Sequence, residues 1–524
     1  AANAPDDEPR SWVETLKAAY GETRAGAASA FASAGESPDR SQLPEQALPF
    51  EALLVPLVRL ARQRVAGRTG AAYAGVEPAA HAALEHALLQ RLVNVCSRAL
   101  FADFAGFRAC QQQPGLAAVF GKAPAGGMFQ QFMAQMRDGG WLSFLGQYPV
   151  AARLCATAVE LWVEMAAEFL GWLADDASVL AATFAGGKTL GHVVGVDVNL
   201  SDPHLGGRSV VIVRFAAGVR VVYKPRPIGI ERLYADIIEW VNRRGGMHPL
   251  RRLAIVLRPT HGWIEYAEQG DCDGPAAVER YFERCGMLLC LAHVLGGTDF
   301  HFENLIAAGE DPILIDMEGL VAHRFPLADE MAVSTMPAGE TSRLALRSVL
   351  NTRLLPHWKI AGETHASDMG GLSRTAEPVE VEVATWADVN GDDMRLGRRR
   401  FTHHAKQHNL PRLGGEPVAA LAHVDRIVEG YRHTYRLVQK GRDEWLDAGG
   451  LLDGARTHRV RFIFRDTSLY ATLLERCLHP RYLRSGIDRG IELDVLSRTL
   501  LRSAERPAVW PLLQAEREAL ERLD

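Results

Sequence analysis

Apolar residues recur at spacings of three and four across 50–64, 80–104 and 141–173, the period of helices with one buried face. Turn signals at Gly126-Gly127 and Asp138-Gly139-Gly140 separate these runs. They predict a helical accessory domain over 46–185, preceded by a flexible segment, 1–45, rich in Ala, Gly, Ser, Pro and acidic residues. Within the greasiest stretch, 154–173, Glu160, Glu164 and Glu168 fall on one helical face, which predicts an amphipathic helix and no membrane span. After Gly186 the pattern changes to β-branched alternation. Strands are predicted at 193–200, 209–215 and 219–223, the last two joined as a hairpin by Ala-Ala-Gly. A helix at about 230–242, a strand pair around 253–265, a long amphipathic helix at 274–295 and a short buried strand at 313–315 follow. The remainder to 524 reads as mainly helical, with a loop-rich middle at 336–415. Strands first and helices afterwards predict an α+β catalytic domain, with a small sheet lobe over 186–270 and a larger helical lobe over 271–524.

Charge and composition narrow the function classes. A net charge of −5 over 524 residues offers no basic footprint for nucleic acid and no polybasic membrane anchor. The seven cysteines are scattered, odd in number and never in a CxxC pair, which argues against a disulfide framework or structural zinc and for a reducing cytoplasm. No apolar h-region opens the chain, so no signal peptide is expected. The chain begins without Met and stops in the middle of a helical pattern, which leads us to expect a longer parent protein.

Three ordered pieces carry chemistry. Lys224 ends the second strand of the hairpin, in Val-Val-Tyr-Lys-Pro. Asp299, His301 and Asn304 lie in Thr-Asp-Phe-His-Phe-Glu-Asn, directly after the long helix. Asp316 ends Pro-Ile-Leu-Ile-Asp, twelve residues beyond Asn304. Alone, each has an ordinary reading: a surface lysine, a turn or cap, a strand end. Together they match kinase-like phosphotransfer. There a strand lysine holds nucleotide phosphates, a loop aspartate meets the acceptor hydroxyl, and an asparagine five residues on joins a later aspartate in holding Mg²⁺. The acidic partner of such a lysine is open among Glu231, Asp236 and Glu239.

Two further pieces flank these. Asp202, His204, Gly206, Gly207 and Arg208 precede the hairpin. The glycine pair suits a loop that covers phosphate or an Asx-type turn, and an acid and a histidine beside it exceed what a phosphate loop needs. Downstream, 459–467 alternates basic and apolar residues, which by itself describes a strand or helix with a basic face.

In order, these pieces resemble the dehydratase region of class II lanthipeptide synthetases, the LanM type. The resemblance also rests on Phe144-Leu-Gly-Gln-Tyr-Pro149 with Ala152-Arg153-Leu154, on Tyr223-Lys-Pro-Arg226, on Asp316-Met-Glu318 and on the stretch 461–470, and it runs over about 45–524. It implies a kinase-like, two-lobed fold and a two-step reaction. ATP and Mg²⁺ phosphorylate Ser and Thr of a leader-bearing precursor peptide, and phosphate is then eliminated to leave dehydroalanine or dehydrobutyrine. Lys224, Asp299, His301, Asn304 and Asp316 then resemble the phosphorylation set, with Asn304 and Asp316 on the metal and Gly206 and Gly207 over the nucleotide. Asp202, His204, Arg461 and Thr467 resemble the elimination set, the last two at the family's six-residue spacing. Arginine's planar fork suits a departing phosphate, and Lys224 could serve both steps. Relatives continue into a zinc-dependent cyclase, for which this sequence offers no Cys/His grouping; a stand-alone dehydratase and one cut from its cyclase both fit, and a separate cyclase is a further expected partner. The rivals are a peptide or small-molecule kinase without elimination and a silent kinase-like scaffold.

Overall fold

The computed structural model describes residues 11–34, 47–111, 127–202, 206–321, 348–361, 365–373, 379–403, 407–458, 460, 465, 467–498 and 510–522. It is an α+β chain in two compact units. One comprises Ala1–Arg220, Val383–Arg399 and Arg465–Asp524, the other Val221–Glu382 and Arg400–Phe464.

The first unit is built on three helices that pack on one another: α1 (Val55–Thr69), α2 (Pro78–Gln111) and α3 (Pro149–Asp175). Proline opens α3, where its missing N–H has no helical partner to lose. Leu154, Val159, Trp162, Ala166, Phe169 and Leu173 turn one side of α3 inward. On the other side Glu164 is exposed, Glu160 accepts from Thr15 Oγ1 at 2.9 Å, and Glu168 accepts from Arg208 Nε at 2.9 Å. Among the described residues no helix is long and apolar enough to cross a membrane. Trp141 stacks on Phe144 at 5.1 Å in the core, and each such ring is worth about 1.5–3 kcal/mol of burial. Two strands follow, β1 (Val193–Asp197) and β2 (Val211–Phe215), paired antiparallel with Val196 opposite Val213.

In the second unit β3 (Arg220–Lys224), β4 (Ile255–Leu257) and β5 (Gly262–Glu265) lie in the order β3-β5-β4, all antiparallel. Helix α4 (Gly229–Arg243) buries Ile230, Leu233, Ile237 and Val241, at helical spacing. Helix α5 (Pro275–Val294) runs through the core, and its glycine is a packing device. A Cβ on Gly286 would lie 2.0 Å from the Ile427 carbonyl oxygen, and one on Gly430 would lie 1.9 Å from that of Glu283. These reciprocal notches let α5 meet α6 (Val424–Lys440) backbone to backbone. After α5 comes a hairpin of β6 (Leu305–Ala308) and β7 (Asp311–Leu314), with Leu305 opposite Leu314.

The middle read as loop-rich holds strands instead. A short pair, β8 (Trp358–Ala361) and β9 (His365–Asp368), is followed by a hairpin of two nine-residue strands, β10 (Val379–Ala387) and β11 (Arg395–His403). From 382 to 387 no residue is buried, and 395–402 are exposed. With no core face to fill, β11 mixes four arginines with exposed Leu396 and Phe401 and shows no period-two signal.

Candidate functional site

Lys224 sits at the end of β3, opposite Gly262, and only 5% of it is exposed. A buried ammonium needs partners. It has them: Nζ donates to Glu231 Oε1 at 3.2 Å and to the Ile315 carbonyl at 2.9 Å, and lies 3.9 Å from Asp316 Oδ1. Of the three acidic candidates on α4, Glu231 in the first turn meets the lysine. Asp236 and Glu239 pair with Arg232, Arg243 and Arg252 instead.

Arg226 completes a network that the lysine alone did not suggest. Its guanidinium reaches Glu231 Oε1 at 2.7 Å, Asp316 Oδ1 at 3.5 Å and Glu318 Oε1 at 2.8 Å. Burial alone would raise the Glu231 carboxyl, but Lys224 and Arg226 outweigh it and hold that carboxyl below its ordinary value. Burial likewise works against Arg226, and the charges of Glu231, Glu318 and Asp316 prevail and tighten its hold on the proton. Two cations against three carboxylates leave one net negative charge, set on the edge of a strand and the end of a hairpin.

The loop after α5 is clamped from both sides. Thr298 N–H donates to Gly319 O at 3.0 Å, Phe300 N–H to Thr352 O at 3.0 Å, and Phe302 N–H to Met369 O at 3.3 Å. Phe300 is fully buried and anchors the turn. Asp299 between these anchors is left-handed, φ 70, a conformation that costs a non-glycine residue roughly 1–2 kcal/mol. Its Oδ1 accepts from Arg353 Nη1 at 2.8 Å, and Arg353 is also left-handed at φ 60. His301 Nδ1 accepts from the Glu303 N–H at 3.3 Å and so caps the short helical turn Phe302–Asn304.

The β6–β7 hairpin ties the two clusters together. Ile315 N–H donates to Asn304 O at 3.1 Å, and Asn304 Nδ2 donates to Asp299 O at 2.9 Å. That last bond turns the amide so that Asn304 Oδ1 remains an acceptor. Asn304 and Asp316 are thus delivered from neighbouring ends of one hairpin, with Lys224 bonded to the residue between. Among the described residues no three His, Cys, Asp or Glu side chains gather as a metal site. Asp316 and Asn304 could offer a hard cation one carboxylate and one amide oxygen.

The DUF4135 family, described only as a domain of unknown function, matches residues 148–524. The chain belongs to that family. The DUF4135 match takes in β1 to β7 and every residue of the two clusters. A biosynthesis protein for lacticin 481/lactococcin, LcnDR2 of Lactococcus lactis subsp. lactis, is 23% identical over 297 residues, which are 53% of this chain and 31% of that protein. The chain therefore spans about a third of the length of this curated relative.

Within the DUF4135 region, Lys224, Asp299, His301, Asn304 and Asp316 all fall in the second unit. Asp202, Gly206, Gly207 and Thr467 fall in the first. Asp202 is exposed, Gly206 and Gly207 adopt φ 84 and 88, and Thr467 is exposed at the start of the helix Thr467–Arg476. His204 and Arg461 lie outside the described residues. Sequence reasoning missed Arg226 and Glu318 as partners of the site. Each lies two residues beyond a predicted site residue, which is the signal that was available. Arg353 carries no such mark.

Proposed function

We propose that this chain is the dehydratase part of a lanthipeptide synthetase, phosphorylating Ser and Thr of a precursor peptide at a kinase-like site and then eliminating phosphate. One observation carries the reading: buried Lys224, paired with Glu231, is bonded to the hairpin that presents Asn304 and Asp316 and that reaches back to Asp299. Similarity to a lacticin 481/lactococcin biosynthesis protein supports the peptide class of substrate.

In the first step Lys224, held by Glu231, orients the phosphate chain of ATP. Asp299 accepts the proton of the Ser or Thr hydroxyl as its oxygen bonds to the γ-phosphorus. Asn304 and Asp316 would hold Mg²⁺, which supplies positive charge against the phosphate oxygens. His301 braces the turn that carries Asn304. In the second step a base removes the Cα proton, that electron pair forms the Cα=Cβ double bond, and the Cβ–O bond breaks to release phosphate. Serine gives dehydroalanine and threonine gives dehydrobutyrine. We assign this step to Asp202, His204, Arg461 and Thr467, the arginine balancing the departing charge. Gly206 and Gly207, both left-handed, are the places where backbone could approach phosphate without a side chain in the way. The expected partners are the leader-bearing precursor and a cyclase activity. Seven free cysteines suit a reducing, cytoplasmic site of action.

Transfer of labelled γ-phosphate from ATP to a Ser/Thr-rich precursor peptide tests the first step. Label should enter the peptide pathway with wild type and not with Lys224→Met or Asp299→Asn. Equal labelling by either variant would contradict the assignment.

A further inference from the structure

In the first unit, beside the glycine pair Gly206-Gly207, a cavity of about 340 Å³ lies between α2, α3 and the segment from β1 to β2. Arg91 of α2 faces it with Asn94, Asn199, Ser201, Gly207 and Ser209, over a floor that includes Trp162. Arg91 forms no ion pair or hydrogen bond with any described residue, although it is largely withdrawn from water and burial lowers its pKa with no charge opposing. The other arginine at the loop, Arg208, is taken by Glu168 at 2.8 Å.

The walls favour the cation further. Gly207 is left-handed at φ 88, and a Cβ there would lie 2.4 Å from Arg91 Nη1, so glycine makes room for the guanidinium. Asn199, also left-handed at φ 58, turns its amide to Gln90 Oε1 at 3.4 Å and closes the rim. No carboxylate is among the described lining residues. A partly buried guanidinium with no partner among the described residues gains most when an anion comes to it.

We propose that this cavity binds a phosphate group, brought either as a phosphorylated Ser or Thr side chain or as released inorganic phosphate. The guanidinium fork matches phosphate in two bonds, and Asn94 and Ser209 add neutral donors from other directions, which suits a tetrahedral ligand more than a planar one. At roughly 30 Å³ per water the space holds about ten waters, enough for a phosphate and the short chain that carries it. The origin of the phosphate rests on the proposed phosphotransfer; the binding does not.

Calorimetric titration of the full chain with inorganic phosphate, phospho-L-serine and acetate tests this. Wild type should bind both phosphates. Arg91→Gln should lose at least about tenfold in affinity, a loss expected of a charge-assisted pair. Asn94→Asp, which changes no volume at an exposed helix position, should weaken binding by placing a competing carboxylate three residues from Arg91. Phosphoserine binding tighter than inorganic phosphate would name the modified side chain as ligand, and the reverse would name the released ion. Binding unaltered in both variants, acetate binding as well as phosphate, or no binding by wild type would each overturn the proposal. Lost binding with labelled-phosphate transfer intact would support the pocket. Absent transfer by wild type with phosphate binding intact would contradict only the phosphotransfer reading.

Discussion

Arg226 and Arg91 are both mostly hidden from water, and their surroundings are opposite. Arg226 is ringed by Glu231, Asp316 and Glu318. Arg91 faces only neutral groups among the described residues of its cavity. A buried charge that is already paired is part of a frame: it holds Lys224 and Asp316 in place before any ligand arrives. A partly buried charge with no partner among the described residues keeps its electrostatic demand for something from outside. The first arrangement suits a site that must position a reaction, the second a site that must attract an anion.

The hardest blow to the framed region is Lys224→Met. It should lower peptide phosphorylation by about 10³-fold, the scale of losing one positioned charge at a transferring phosphoryl group, measured as initial rates of label transfer. Next, Arg226→Met should destabilise the protein by about 3 kcal/mol, because it leaves Glu231, Asp316 and Glu318 with one cation fewer among them. Arg91→Met should change stability by no more than about 0.5 kcal/mol, because nothing described is left unpaired. Denaturant midpoints of the two variants test that contrast directly, and equal losses would erase the distinction drawn here.

Acid separates the regions in a third way. The folded Glu231 carboxyl titrates below its ordinary value, so its stabilisation is fully present above about pH 4.5, the unfolded value, and is lost as pH falls through the folded one. Wild type should therefore lose stability on acidification, and Glu231→Gln should flatten that slope while being less stable at neutral pH. An unchanged slope would detach Glu231 from the cluster. A milder effect on the framed region belongs to Arg353→Gln. Because Arg353 is 44% exposed, its bond to Asp299 adds under about 1 kcal/mol to stability, and its loss should lower transfer roughly tenfold by freeing the Asp299 carboxylate. A variant with full rate would make that pair a surface contact only.

These residues were unequally legible. Lys224, Asp299, Asn304 and Asp316 stood out because strand end, five-residue step and hairpin length are short-range facts written in consecutive residues. The partner of Lys224 stayed open among Glu231, Asp236 and Glu239, since helical periodicity says which positions share a face but not which one meets a strand end. Arg353 reaches Asp299 across 54 residues of sequence, through two left-handed turns that no pattern marks. Arg91 reads as an ordinary polar position on an amphipathic helix; its lack of a partner is a property of the cavity. The β10–β11 hairpin was half legible: Val379-Glu-Val-Glu-Val383 alternates in β10, whereas β11 carries no period-two pattern to pair with it.

In the proposed reaction one chain adds phosphate to Ser and Thr and then removes it. The most direct measurement is the mass of a leader-bearing, Ser/Thr-rich precursor peptide after incubation with the full chain, ATP and Mg²⁺, beside Lys224→Met and Thr467→Ala. Wild type should remove one water per modified residue, Lys224→Met should leave the mass unchanged, and Thr467→Ala should accumulate phosphorylated peptide. Stable phosphate additions by wild type, or waters lost normally by Lys224→Met, would contradict it.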